Sequence, residues 1–290
     1  MTTRCKHIAL VALFVVATAL VVHAESPENA PAECREQVAA AVRALGPVLR
    51  PNCTLEKAIL AYVPGRFHAV AEGTLPQART SGVCPSGMAN VGRRFCIDRW
   101  EGSLVERRAD GSEVAWSPFA TPVDGHVYVA RTAAGVTPQG YVSAAQAERA
   151  CRVAGKRLCE PVEWRAACGG TQAQAYPYGP VRATGKCRDT GTVPAALLHT
   201  SDLNDPRLNQ LPDTVAKTGA FADCVNDYGV YDMVGNLDEW TADPNGTFQG
   251  GYWLDTSQHG EGCAYRTIAH TFDYHDYSTG FRCCADIVGP

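Results

Sequence analysis

The chain has 290 residues, of which 46% are hydrophobic and 19% charged, and its formal net charge at pH 7 is -4. This apolar content is enough for one large domain or two smaller ones, and it excludes a disordered chain. The weakly acidic balance and the lack of any Lys/Arg cluster give no basic surface for nucleic acid, so we expect no nucleic-acid partner. The outlying feature is the count of 13 cysteines.

The N-terminal residues have the features of a secretory signal peptide. Arg4 and Lys6 precede an apolar run over residues 8–22, and Ala24 supplies a small residue at the cleavage position. An uncleaved membrane anchor is the alternative, but this run has about 15 residues whereas a span needs roughly 20. We therefore predict that residues 1–24 are removed, that the protein is secreted or periplasmic, and that no segment spans a membrane.

The cysteines that follow the signal predict disulfides. One of the 13, Cys5, lies in the signal peptide, which leaves twelve in a chain that we expect to be exported. Exported chains oxidise their thiols, so six bridges are the expectation. A zinc site is the alternative, but there is no C-x-x-C pair and no H-x-x-x-H partner. Spacing alone does not choose the pairing.

Residues 25–64 are predicted to form a small helical hairpin. Apolar residues recur at helix spacing up to Gly46, and Thr54 starts a second such run. Cys34 and Cys53 flank the turn, which favours a hairpin clasped by one disulfide. A linker rich in Gly, Pro, Thr and Gln follows over residues 65–82. We interpret the hairpin as a spacer or as a module that docks a protein partner.

The remaining chain mixes short strands, two helices and long loops. Ser143 caps a predicted helix over residues 144–154, and a second helix is predicted over residues 161–167. The stretch from 169 to 227 is loop-rich and needs covalent support. Short strands are predicted at four places towards the C-terminus, namely residues 229–233, 250–254, 264–268 and 280–285.

Several motifs in this part of the chain occur in one order. They are Ala154-Gly-Lys-Arg-Leu158, Glu163-Trp164, Tyr176-Pro-Tyr-Gly179, Tyr231-Asp-Met-Val-Gly-Asn236, Glu239-Trp240, Gly250-Gly251-Tyr-Trp253 and Gly280-Phe-Arg-Cys283. Together they resemble the formylglycine-generating enzyme, or sulfatase-modifying factor, family. The resemblance implies an α+β domain over residues 83–290, with the irregular, loop-rich, C-type-lectin-like fold of that family. This fold has two main helices and small antiparallel sheets.

The resemblance also implies how the cysteines pair. Two bridges of the family correspond to Cys151–Cys283 and Cys168–Cys263. Cys159 and Cys284 are additions to the family pattern and are expected to bond each other. The remaining expected bridges are Cys84–Cys96, Cys187–Cys224 and Cys34–Cys53.

The family's copper chemistry lacks its ligands in this chain. In copper-dependent members, two cysteines after the Gly-Gly strand bind copper and the substrate thiol, because thiolates hold Cu(I) well. Here the first of these positions falls on Asp255, residues 256–262 contain no cysteine, and Cys263 is already assigned to a bridge. We therefore expect no copper and no formylglycine-generating activity.

A different metal chemistry is the alternative. Asp255, His259, His270 and His275 lie where the family's cleft is expected, and imidazole with carboxylate can hold non-haem iron or zinc. These histidines have no i, i+4 spacing, and exposed loop histidines are the favoured explanation. They are the weak catalytic candidates of a metal-dependent oxidoreductase or another enzyme of this family.

A calcium site is implied at the Val-Gly-Asn turn. The matching positions are Asp232 and Glu239 through their carboxylates and Gly235 and Leu237 through their carbonyls, and such oxygens suit a hard cation. In the alternative interpretation, the two carboxylates only bond backbone amides of the turn. The leading hypothesis is thus an exported, calcium-stabilised binding or structural module for an unknown protein or small ligand.

Overall fold

The computed structural model describes residues 73–193, 202–268 and 270–289. The predicted signal peptide, the hairpin over residues 25–64, the Cys34–Cys53 bridge and the start of the linker lie outside the described residues. The described residues belong to one compact unit, His68–Pro290. Within them, no helix is long and apolar enough to cross a membrane.

Helix α1 (Ala144–Val153) begins where its sequence caps it. The Gln146 amide donates to the Ser143 hydroxyl at 3.3 Å, and the Ser143 amide donates to the Gln146 side chain at 2.9 Å. This reciprocal pair satisfies two amides that the helix itself leaves unbonded. Gly155 follows with a φ of 72°, which a residue with a side chain rarely adopts, and the helix ends there.

Helix α2 (Pro161–Cys168) starts with a proline, whose missing N–H is one that the helix would not have bonded. The Glu160 amide donates to the Glu163 carboxylate at 3.0 Å, and Arg157 donates to the same carboxylate at 2.7 and 2.8 Å. The two predicted helices are confirmed, each within one residue at its C-terminal end.

Eleven short strands are found among the described residues. They are β1 (Met88–Val91), β2 (Phe95–Asp98), β3 (Gly102–Arg107), β4 (Glu113–Ala115), β5 (Val127–Thr132), β6 (Arg157–Leu158), β7 (Asp238–Trp240), β8 (Phe248–Gln249), β9 (Arg266–Thr267), β10 (Thr279–Phe281) and β11 (Cys283–Ala285). Three small sheets result, with strand orders β1-β2-β11-β6, β10-β7-β8-β9 and β4-β3-β5. Together with the two helices and long loops, they confirm the expected α+β, loop-rich fold.

The strand predictions were only partly right. Residues 229–233 and 250–254 form only isolated bridges, at Tyr231 and Tyr252, since the first stretch holds Asp232 at a φ of 57° and the second begins with two glycines at positive φ. The short strands β7 and β8 were not predicted. The pairing of β10 with β7 is parallel, with Thr279 opposite Asp238, so not every pairing is antiparallel.

Five disulfides close the described part of the chain. They join Cys84–Cys96, Cys151–Cys283, Cys159–Cys284, Cys168–Cys263 and Cys187–Cys224, and all five are pairs that were expected. Three of them tie the helical region, residues 144–168, to the C-terminal residues 263–284. The Cys187–Cys224 disulfide cross-links the loop-rich stretch before β7, where the backbone has little regular secondary structure.

The Val-Gly-Asn turn depends on a glycine. Gly235 has a φ of 78°, and a Cβ placed there would lie 2.2 Å from the carbonyl oxygen of Arg188. The next amide, that of Asn236, donates to this same carbonyl at 2.8 Å. The glycine therefore lets the loop around Arg188 pack directly on the turn that leads into β7.

Candidate functional site

Asp255 lies in the loop that follows the two glycines after β8. The amide of Tyr252 donates to the carbonyl of Asp255 at 2.9 Å, and the reverse bond measures 3.1 Å, so the loop closes on itself. The Asp255 carboxylate accepts hydrogen bonds from the Ser257 amide at 2.9 Å and from the Tyr265 hydroxyl at 3.0 Å. Its side chain is therefore held in place at the half-buried edge of the domain.

The three candidate histidines have separate partners. His259 is exposed and packs edge-on against Tyr265 at 5.7 Å between ring centroids. His270 lies between Phe248 and Tyr274, with ring centroids 4.9 and 4.3 Å away, and burial lowers its pKa.

His275 bonds the side-chain oxygen of Asn204 at 2.6 Å. His259 and Asp255 thus share a tyrosine, whereas His270 and His275 are held elsewhere. Among residues 73–193, 202–268 and 270–289, no three His, Cys, Asp or Glu side chains are grouped to hold a metal ion.

The structure places a further acidic residue behind Asp255 that sequence reasoning missed. Asp238, the first residue of β7, is only 2% exposed. Its Oδ1 has no hydrogen-bond partner among the described residues. Burial raises the pKa of Asp238 well above its ordinary value, the negative charges of Asp276 and Asp255 raise it further, and a hydrogen bond from the Gly251 amide opposes these effects.

Four tyrosines surround these carboxylates. The Tyr252 and Tyr277 rings pack edge-on at 5.7 Å with their hydroxyls 3.4 Å apart. The Tyr274 hydroxyl donates to Asp276 at 2.5 Å. Burial raises the pKa of each tyrosine, and the nearby charge of Asp238 adds to the rise in all four. We define the acid–tyrosine cluster as Asp238, Asp255, Asp276, Tyr252, Tyr265, Tyr274 and Tyr277.

We predict that Asp238→Asn stabilises the protein at neutral pH. Because folding raises the pKa of Asp238, its ionisation opposes folding. This cost is absent below the pKa of an unfolded aspartate, about 3.9, and grows as the pH rises towards the folded-state pKa. The variant cannot ionise and should gain about 1–3 kcal/mol relative to the native protein between about pH 4 and pH 7.

Urea unfolding at several pH values measures this difference. Asp223→Asn is the matched control, because the Asp223 side chain is 74% exposed and pairs only with Lys186, 3.6 Å away. Parallel stability curves for the native protein and Asp238→Asn would contradict the prediction.

The residues expected to bind calcium lie on the other face of β7. Arg282 donates to both carboxylate oxygens of Glu239, at 2.6 Å from Nε and 2.5 Å from Nη2, and Trp164 Nε1 donates to Glu239 at 2.6 Å. Asp232 accepts a hydrogen bond from the Gly219 amide at 2.6 Å. Asp232 thus bonds a backbone amide, as the alternative to a calcium site supposed. Glu239 instead forms an ion pair with Arg282.

A third carboxylate, missed from the sequence, joins this group. Glu101 is 1% exposed and accepts hydrogen bonds from the Asn236 side chain at 2.6 Å and the Leu237 amide at 3.2 Å. Burial raises the pKa of Glu101 well above its ordinary value, and the charges of Asp232 and Glu239 raise it further. Burial also raises the pKa of Asp232 to about 6. Three buried carboxylates, those of Glu101, Asp232 and Glu239, thus lie near the single guanidinium of Arg282.

No described cysteine is a free thiol. All ten that lie in residues 73–193, 202–268 and 270–289 belong to the five disulfides. Cys263 bonds Cys168, and Asp255 stands at the position where the family resemblance places the first copper-binding cysteine. Thiolate ligands for Cu(I) are therefore missing from this part of the chain.

Residues 91–287 match the sulfatase-modifying factor enzyme 1-like domain. The chain is 31% identical over 167 residues to the inactive C-alpha-formylglycine-generating enzyme 2 of Bos taurus, a match that covers 53% of this chain and 52% of that protein. The chain thus spans about half the length of this bovine relative.

Solved structures with similar folds are more distant in sequence. The major tropism determinant U1 variant is 17% identical with a TM-score of 0.43, and the match covers 73% of this chain and 55% of that one. CarF is 18% identical with a TM-score of 0.33, over 72% of this chain and 96% of that one. The family match extends over most of the described domain, and the chain belongs to the sulfatase-modifying factor family.

Proposed function

We propose that this chain does not generate formylglycine and that it acts as a binding module, with the acid–tyrosine cluster as its ligand site. The observation that carries the proposal is the complete use of the described cysteines in disulfides, which leaves Asp255 where copper chemistry needs a thiolate. The bovine relative has the word inactive in its name, which supports the proposal that this chain does not generate formylglycine.

The first test is a search for the family reaction. The purified protein, loaded with copper under air, is incubated with a cysteine-containing sulfatase peptide, and the peptide mass is followed by mass spectrometry. We expect no conversion of the cysteine to an aldehyde. Copper alone with the peptide is the background control, and an active formylglycine-generating enzyme is the positive control. Conversion above background would overturn the proposal.

We also propose that the protein is exported. Five disulfides in the described residues fit an oxidising compartment, since cytosolic thiols are kept reduced. Expression in the source cells, followed by fractionation and N-terminal sequencing, tests both export and the expected cleavage after Ala24. A mature chain that retains residues 1–24 would contradict the signal peptide.

The alternative proposal is an enzyme that uses a metal held by Asp255 and nearby histidines. Metal analysis of protein purified without chelator separates the two. Stoichiometric iron, copper or zinc that is lost on substitution of His259 or His270 would favour the enzyme, whereas calcium alone would favour the binding module.

We further propose that calcium stabilises the domain through Asp232, Gly235, Leu237 and Glu239. The support is the excess of buried carboxylates, Glu101 included, over the one arginine beside them. We predict that calcium at about a hundred times its dissociation constant stabilises the protein by about 2.7 kcal/mol. For a domain of this size the melting temperature should rise by roughly 5–10 °C.

Thermal unfolding with EGTA or with added calcium measures this effect. Magnesium at the same concentration is the ion control, because it accepts fewer protein oxygens in a stricter geometry. Asp232→Asn should abolish the calcium shift while Asp124→Asn, at a side chain that is 97% exposed, should leave it intact. An unchanged melting temperature in calcium would speak against the site.

A further inference from the structure

The acid–tyrosine cluster gathers negative charge that no basic side chain offsets. Asp276 accepts hydrogen bonds from the Tyr274 hydroxyl and from the amide and hydroxyl of Ser278, and Asp255 accepts from Tyr265 and its own loop. Among the described residues, no lysine or arginine forms an ion pair with Asp238, Asp255 or Asp276. These hydrogen bonds order the carboxylates without neutralising them.

The nearest imidazoles do not supply the missing charge. His270 is close enough for the charge of Asp276 to act on it, but burial and the neighbouring His259 lower the pKa of His270. His259 lies exposed at the outer edge. Within residues 73–193, 202–268 and 270–289, no side chain thus supplies a positive charge that pairs with the three carboxylates.

The inner end of the cluster also lacks a hydrogen-bond donor. Oδ1 of Asp238 is buried and has no partner among the described residues, and the same is true of Oγ1 of Thr256. Asp238 and Thr256 both neighbour Gly251, because the Gly251 amide bonds Asp238 and a Cβ on Gly251 would lie 2.8 Å from the Thr256 Cα. A buried carboxylate oxygen without a donor is costly, and it is satisfied by a group that carries N–H or O–H.

Aromatic rings line the same region. Tyr252, Trp253 and Tyr277 pack with ring centroids 5.7 Å apart in each pair. A cation over such rings is attracted by their electron-rich faces, and an alkyl stem gains from apolar contact with them. Asp255, Tyr252 and Tyr274 are half-buried, so a ligand can approach the cluster from this side.

We propose that the acid–tyrosine cluster binds a primary ammonium group on an alkyl stem, such as a lysine side chain or a small alkylamine, with Asp238 as its innermost acceptor. The ammonium supplies both the positive charge and the N–H donors that the cluster lacks, whereas a quaternary ammonium supplies only the charge. This inference rests on the proposed binding function and names the ligand chemistry of that site.

The test is calorimetric titration of the full mature chain with n-butylammonium chloride at pH 7. We expect saturable one-site binding. Tetramethylammonium and n-butanol are the matched probes, one without N–H donors and the other without charge, and each should bind at least tenfold more weakly. Equal binding of n-butanol would overturn the proposal, because it would show that apolar contact alone is responsible.

Two variants locate the binding. Asp238→Asn keeps the shape of the side chain and should weaken n-butylammonium binding at least tenfold, and Asp255→Asn should weaken it at the outer edge. Asp124→Asn removes an equal charge from a side chain that is 97% exposed and should bind like the native protein. Native-like binding by both Asp238→Asn and Asp255→Asn would overturn the assignment to this cluster.

A short peptide, acetyl-Gly-Lys-Gly-amide, distinguishes the two sources of the ammonium. Tighter binding of this peptide than of n-butylammonium points to a polypeptide ligand, and weaker binding points to a small amine; both agree with the proposal. Failure of every ammonium probe would overturn this inference alone. Conversion of a sulfatase peptide, in contrast, would overturn the proposed function on which it rests.

Discussion

Replacing Arg282 by methionine is expected to destabilise the protein by about 3–5 kcal/mol, because it removes one partner of a buried ion pair. Arg282 is 0% exposed and Glu239 is 1% exposed. Besides its bonds to Glu239, the guanidinium donates to the carbonyls of Asp98 at 3.0 Å and Tyr231 at 2.9 Å. Without it, Glu239 would lose its ion-pair partner beside the acidic Glu101 and Asp232, and two carbonyls would lose a donor.

Urea unfolding with all disulfides intact measures this loss. Arg152→Met is the matched control, because Arg152 is 70% exposed and pairs with Glu148 on the surface of α1, and its loss should change stability by less than about 0.5 kcal/mol. Adding Glu239→Gln to Arg282→Met should recover part of the stability, since the unpaired charge is then gone. A loss below about 1 kcal/mol for Arg282→Met would show that the remaining carboxylates adapt by taking up protons.

The helices were predictable because their signals are local. The capping pair of Ser143 and Gln146 and the proline at position 161 act within one turn, and no distant contact overrides them. Two disulfide pairs, Cys151–Cys283 and Cys168–Cys263, were available from the family resemblance, and the other pairs were assigned among the remaining cysteines. The N-terminal hairpin and its bridge lie outside the described residues and stay predictions.

Strands β7 and β8 were not predictable from local pattern. They have three and two residues, and they bury Asp238, Glu239 and Gln249, which are residue types that normally indicate a surface. Only contacts with distant segments explain their burial: Glu239 meets Trp164 and Arg282, and Gln249 donates to the carbonyl of Pro161 at 3.2 Å. The hydrophobic pattern within so short a strand cannot predict contacts with distant residues.

The candidate site, too, could be predicted from local sequence only in part. Asp255 was found because a family motif marks its position, but Asp238 lies between two quoted motifs, and its charge and that of Asp255 act on each other only in the folded chain. The available signal was an acidic residue directly before the Glu239-Trp240 pair, since it adds a second carboxylate to a strand that packs on both faces. The three histidines stay weak candidates, and each contacts a different neighbour.

Removal of the Cys151–Cys283 disulfide is expected to cost more than removal of Cys84–Cys96. Cys151 and Cys283 are 132 residues apart and Cys84 and Cys96 are 12 apart, but the intact neighbouring bridge Cys159–Cys284 shortens the first loop to about ten residues. Loop-closure entropy therefore predicts a similar loss of about 3 kcal/mol for each bridge. The cavity left by two fully buried sulfur atoms should add to the cost at Cys151–Cys283.

The paired variants Cys151→Ala/Cys283→Ala and Cys84→Ala/Cys96→Ala test this order in urea, with mass spectrometry to verify that the other bridges stay oxidised. Each pair removes both thiols, so no free cysteine can exchange with its neighbours, and Cys284 next to Cys283 makes this control necessary. The Cα atoms of the two bridges are 5.7 and 5.5 Å apart, which is ordinary for a disulfide, so the two variants differ mainly in the burial of the sulfur atoms. Equal losses would mean that restriction of the unfolded chain, and not native packing, is the main contribution of these bridges to the stability of the domain.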